Sequence, residues 1–156
     1  MAIDYRSQSP RILADFLSYH ETIKAHSQRT VDEYFLDLRN FFRYLKQTRD
    51  PALRDLQLDE IDIMDVDLPL IKSVTLSDIY GYMTYLSRDR QQFHNSEISN
   101  KGLNASSRAR KLASIRSFFN YLCNKLATHT TNHNIGWLIF FNTIKPICYT
   151  GINRIF

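Results

Sequence analysis

A chain of 156 residues has room for one domain of ordinary size, or a small domain with a tail, and none for two full domains. Apolar residues make up 44% and aromatic ones 13%, with four Gly and four Pro, a composition that can bury a core and excludes low-complexity and collagen-like classes. The formal charge of +4 is uneven: residues 1–103 hold 13 Lys and Arg against all 16 carboxylates, whereas residues 104–126 hold Arg108, Arg110, Lys111, Arg116 and Lys125 and no acid, so attraction to an anionic partner is local to that segment.

Pro10 suits the first turn of a helix, and Ile12, Phe16, Leu17, His20 and Ile23 follow at helical spacing, predicting a first helix over about 10–24. His20 sits beside that stripe and reads as a helix-packing histidine, because no second metal-ligand type recurs near it. Ser27 is a natural N-cap for a second helix, whose stripe Val31, Tyr34, Phe35, Leu38, Phe41, Phe42 and Leu45 keeps the 3.6 rhythm for about four turns. Its opposite face carries Arg29, Glu33, Asn40, Arg43 and Gln47, which suits either plain solvent or an anionic partner.

Asp50-Pro51 ends that helix, and the stretch to Leu70 reads as an Asp-rich loop with room for a short helical turn. Glu60, Asp62, Asp65 and Asp67 lack the glycine and closing glutamate of a calcium loop, so no metal site is expected there. Thr75 opens a third helix as a cap, with Asp78 three positions on, and Leu76, Ile79, Tyr80, Met83 and Leu86 form its predicted buried stripe up to about Arg90.

After a polar loop over 91–102, Asn104 or Ser106 caps a fourth helix running to about Leu126. With Leu112 at the centre of its apolar side, Ala109, Ile115, Phe119, Leu122 and Leu126 cluster round it, and Ser107, Arg110, Ser114, Ser117 and Tyr121 fall opposite, flanked by Lys111. A solvated helix face normally mixes Glu with Lys. An acid-free face of short hydroxyls and cations instead suits a polyanion, since the small side chains let backbone approach phosphate and Arg or Lys neutralise it. Arg110 and Lys111 are expected to point away from the apolar side, opposite to Leu112.

From Ala127 onward neither a period of 3.6 nor one of 2 persists, and the segment reads as a tail that does not join the bundle. Its most apolar run, over 136–142, is far shorter than the roughly 20 residues of a spanning helix. His129 and His133 could share a metal with Cys123 or Cys148, but the paired spacing of a zinc site is missing. No secretory pattern opens the chain, and two thiols fit a reducing cytoplasm.

Taken in order, Phe16-Leu17-Ser18-Tyr19, Ser27-x-x-Thr30, Tyr34-x-x-Asp37-Leu38-x-x-Phe41-x-x-Tyr44-Leu45, Val74-Thr75-x-x-Asp78-Ile79 and Ser107-x-x-Arg110-Lys111-Leu112-Ala113-Ser114-Ile115-Arg116-Ser117-Phe118-Phe119-x-Tyr121-Leu122 carry a likeness. Over about residues 10–126 the chain resembles the N-terminal core-binding domain of the phage-integrase or tyrosine recombinase family, Xer-type members above all. That resemblance implies an all-α, four-helix SAM-like bundle forming one half of a clamp round duplex DNA, with the chemistry in a second domain. It implies DNA-facing residues Ser27, Arg29, Thr30 and Arg43 on the second helix and Ser107, Arg110, Lys111, Ser114, Ser117 and Tyr121 on the fourth. Partners would be double-stranded DNA and other recombinase protomers, with no membrane, no cofactor and no metal.

The family's catalytic Arg, Lys, His-x-x-Arg box and nucleophilic Tyr have no counterpart. His26-x-x-Arg29 fits the box only by coincidence, at the start of the second helix, and Tyr149 lacks the arginine pair that phosphoryl transfer needs. The expected organisation is a core-binding domain over 1–126 and a non-family tail over 127–156, as in a truncated or frame-shifted recombinase without catalysis of its own. The alternative is a small helical protein-interaction or regulatory module.

Overall fold

The computed structural model describes residues 4, 5, 7–88 and 102–127 and divides into two compact units, residues 1–73 and 74–156. The expected tail, with His129, His133 and Tyr149, and nearly all of the polar loop lie outside the described residues. Among the described residues there are five α-helices and two 3-10 turns and no strand, so the all-α class read from the periodicities holds.

In the first unit, α1 (Arg11–Thr22) and α2 (Gln28–Arg49) pack together. The Pro10 carbonyl accepts from the amides of Leu13 and Ala14, so proline starts α1 from its N-cap. Leu13, Phe16, Leu17 and His20 are buried. Ile23, placed in the stripe from spacing, is instead 71% exposed, because the helix has already ended at Thr22. The chain leaves α1 with the His26 amide donating to the His20 carbonyl and Ala25 at φ 52°, a left-handed position where helices usually place glycine. Ser27 caps α2 by accepting from the Thr30 amide, and Val31, Phe35, Leu38, Phe41, Phe42 and Leu45 are fully buried as predicted, with Tyr34 partly so.

The Asp-rich stretch folds as two 3-10 turns, Pro51–Leu53 and Leu58–Glu60, and a short α3 (Leu68–Lys72) capped by Asp67. Ile61, Ile63, Val66 and Ile71 are buried between exposed Asp62, Met64, Asp65 and Asp67. That is how so acidic a segment still adheres: its β-branched Ile61, Ile63, Val66 and Ile71 go in and its carboxylates go out, with Leu56 and Met64 left at the surface.

The second unit holds α4 (Leu76–Arg88) and α5 (Ala105–Ala127), packed on each other. Thr75 and Asp78 form the expected reciprocal cap, the Thr75 amide donating to Asp78 Oδ2 at 2.7 Å and the Asp78 amide to Thr75 Oγ1 at 3.3 Å. The buried side of α4 is Ile79, Tyr82 and Leu86, while Tyr80, predicted inside, is 46% exposed. Positions 79, 82 and 86 follow the i, i+3, i+7 line; Tyr80 is 100° round from Ile79 and falls off it. Asn104 caps α5, accepting from the Ser107 amide at 2.8 Å.

The inner side of α5 is wider than predicted. Lys111, Leu112, Ser114, Ile115, Phe118, Phe119, Leu122 and Cys123 are all buried, an arc centred roughly 70° from Leu112 on the Ile115 and Phe118 side. Adjacent Phe118 and Phe119 point about 100° apart, and burying both turns the helix away from the simpler arrangement.

Candidate nucleic-acid interface

The proposed contact residues divide between α2 in the first unit and α5 in the second. At the start of α2, Arg29 is exposed, and the hydroxyls of Ser27 and Thr30 lie 2.9 Å apart while Ser27 caps the helix. The first-turn amides and Arg29 therefore give this end of α2 a positive character.

Arg43 is placed differently from the expectation that it faces outward. Its Nε donates to the Ile61 carbonyl at 2.8 Å and its Nη2 to the Asp59 carbonyl at 2.7 Å. Lys46 Nζ donates to the Asp62 carbonyl at 2.7 Å and pairs with Asp65, Gln47 Nε2 donates to the Leu56 carbonyl at 2.8 Å, and Arg49 donates to Ser73. The polar side of α2 is thus a clamp on the 56–73 segment as well as a solvated face. Burial lowers the Arg43 guanidinium pKa first, the charge of Arg39 adds to that, and Asp59 and Asp62 oppose it.

Arg39 is a cation that spacing alone did not single out. Its guanidinium lies 4.9 Å from the centroid of the Phe35 ring, and its Nε is buried with no hydrogen-bond partner. Burial lowers its pKa.

Behind the start of α2, His20 is buried with Phe16, Tyr19, Tyr34 and His26 around it, and its Nδ1 lies 3.2 Å from His26 Nδ1. Only one proton can sit between two ring nitrogens, so a second protonation is opposed. Burial first, then His26 and Lys24, push the His20 pKa down to about 4. The ordinary value near 6.5 holds in the unfolded chain, so this histidine contributes nothing above about pH 6.5, and below it the unfolded state gains a proton that the folded state refuses. Thermal melts should therefore show the melting temperature falling from about pH 6.5 toward 4. His20→Leu should flatten that fall relative to the parent chain; an unchanged slope would mean His20 is not held neutral.

In α5, Arg110 is exposed and Ser117 and Tyr121 are half-buried, on the outer side with Ser106, Ala113 and Asn124, whereas Ser107, also half-buried, lies in the direction of the inner arc at the first turn of the helix. Lys111 and Ser114 are corrections: Lys111 is 4% exposed and Ser114 1%, so both belong to the inner arc rather than the outer one. Ser114 offsets its burial by donating to the Arg110 carbonyl at 3.2 Å, one turn back. The outer arc of α5 still carries no acid, and Lys125 Nζ lies over the Tyr121 ring at 5.5 Å. The described residues hold no group of three or more His, Cys, Asp or Glu able to bind a metal, and no described helix is long and apolar enough to cross a membrane.

No protein-family model matches the chain, and no solved structure matches it significantly. Tyrosine recombinase XerC of Caldanaerobacter subterraneus subsp. tengcongensis is 42% identical to it over 123 residues, which is 79% of this chain and 32% of that protein. The chain spans about a third of the length of the curated relative it matches. Over that length the chain is similar in sequence to part of a tyrosine recombinase, and the regular elements of its described residues are all helical, with no strand.

Proposed function

We propose that residues 1–126 are the core-binding domain of a site-specific tyrosine recombinase, a module that grips double-stranded DNA during recombination and integration and performs no strand cleavage itself. Residues 127–156 would lie outside family sequence, the partners would be duplex DNA and other recombinase protomers, and the setting would be the cytoplasm. The observation that carries this reading is the acid-free outer arc of α5 around Arg110 on a recombinase-related chain. Such an arc provides cations and small hydroxyls to a phosphate backbone without a carboxylate to repel it. The exposed Arg29 and the capped start of α2 support a second contact of the same kind.

Titrating arbitrary duplex DNA across a salt series tests the reading. Phosphate contacts make log affinity fall with log salt, whereas docking of an apolar partner helix responds weakly. Arg110→Ala should lower the salt slope by about one unit with little change in melting temperature, because the side chain is exposed. Lys111→Ala should behave otherwise and lose several degrees of melting temperature, because its buried side chain belongs to the inner arc. Absence of any salt-dependent DNA binding would refute the proposal.

The non-catalytic part is tested separately. No covalent protein–DNA adduct should form with any duplex, and Tyr149→Phe should change nothing. An adduct abolished by that substitution would make the chain an enzyme.

A further inference from the structure

Among the described residues, α2 carries a cation, Arg39, with no hydrogen-bond partner on its Nε and no counter-ion lowering the cost of its burial. The Arg39 guanidinium is laid against the face of Phe35, a ring with no exposed surface, at 4.9 Å. That stacking presets its orientation, so little side-chain freedom remains to be lost on binding. Its Nε is buried and unpartnered, whereas its terminal nitrogens are not among the buried unpaired atoms and so reach the surface of this half-exposed residue.

One turn on, Arg43 is near enough for the two charges to disfavour one another. Arg43 has its own compensation, two loop carbonyls and the nearby carboxylates Asp59 and Asp62. Arg39 has none of these. On its own side of the helix the nearest acid is Asp32, seven residues and roughly 10 Å back, and that carboxylate already accepts from Gln28 Nε2 at 2.9 Å. A guanidinium that is partly desolvated, set in place by a ring, beside a like charge and without a counter-ion is complementary to an incoming oxyanion.

We infer that Arg39 is a phosphate-binding residue, taking one phosphodiester of the duplex backbone on its outer nitrogens while Arg43 holds the loop beside it. This rests on the DNA-binding reading and adds to it a contact in the middle of α2. Arg43, although basic and on the same side, serves as a positioning residue.

The test uses the full chain and a fluorescently labelled duplex in a salt series, with Arg39→Gln, Arg39→Lys and Arg110→Ala beside the parent. Arg39→Gln should lower the salt slope by about 0.9 and weaken binding roughly tenfold near 0.1 M monovalent salt, whereas Arg39→Lys keeps the charge and should retain most of the slope. The melting temperature of each variant is recorded, and Arg39→Lys carries the comparison if Arg39→Gln does not fold. If Arg110→Ala lowers the slope and neither Arg39 variant moves it, the Arg39 assignment is wrong and the DNA reading survives. If the parent chain binds no DNA, the DNA reading fails, and titration with inorganic phosphate decides Arg39 alone. A saturable shift of its side-chain Nε–H resonance, identified by its loss in Arg39→Lys, upholds an oxyanion site, and its absence overturns one.

Discussion

Phe118→Ala is expected to cost about 3–5 kcal/mol of folding free energy, among the largest effects of any single truncation in the second unit. Phe118 has no exposed surface and meets Phe119 edge-to-face at 5.7 Å, so its removal loses both transfer free energy and contacts that neighbours cannot restore. Tyr121→Ala, three residues on and half-exposed, should cost much less. Urea unfolding with an unchanged m-value measures both. A cost for Phe118→Ala near 1 kcal/mol would return the inner side of α5 to an arc centred on Leu112, from which Phe118 stands about 120° away.

Gly102→Ala is the second. Gly102 has φ +93°, and a Cβ built there would lie 2.1 Å from the Ser87 carbonyl oxygen and 2.6 Å from its carbon. Next to it the Leu103 amide donates to the Leu86 carbonyl at 2.7 Å, so the chain is tied to the end of α4 where no side chain fits. Alanine would meet a left-handed backbone and a main-chain clash together, and we expect a loss of at least about 2 kcal/mol, seen as a lower midpoint in urea. A loss below about 0.5 kcal/mol would show that the Gly102–Leu103 link does not hold α4 to the start of α5.

Much of the fold was legible because its signals are local. Ser27, Thr75 with Asp78, and Asn104 cap their helices through atoms three residues away, and the α2 stripe is so regular that only one face can be buried. What was not legible depends on the distant chain. Arg43 looks like any outward cation until residues 59 and 61 fold back to present their carbonyls. Tyr80 and Tyr82 are equally apolar to inspection, and only the packing of α4 chooses between them. Lys111 and Ser114 carry polar names into the inner arc because two neighbouring phenylalanines set the rotation of α5. Of the candidate interface, the lack of acids along α5 is visible in residue order alone, whereas the stacked state of Arg39 needs the position of Phe35.

The clamp along α2 has an evolutionary corollary. Arg43, Lys46, Gln47 and Arg49 address main-chain oxygens at positions 59, 61, 62, 56 and 73, and every residue type supplies such an oxygen. The side chains of Leu56 and Asp59 can therefore change between related proteins without breaking those bonds, while the segment's seat on the helix persists. Its length cannot, because one residue added or removed between 56 and 62 would put every acceptor after it out of step with its donor.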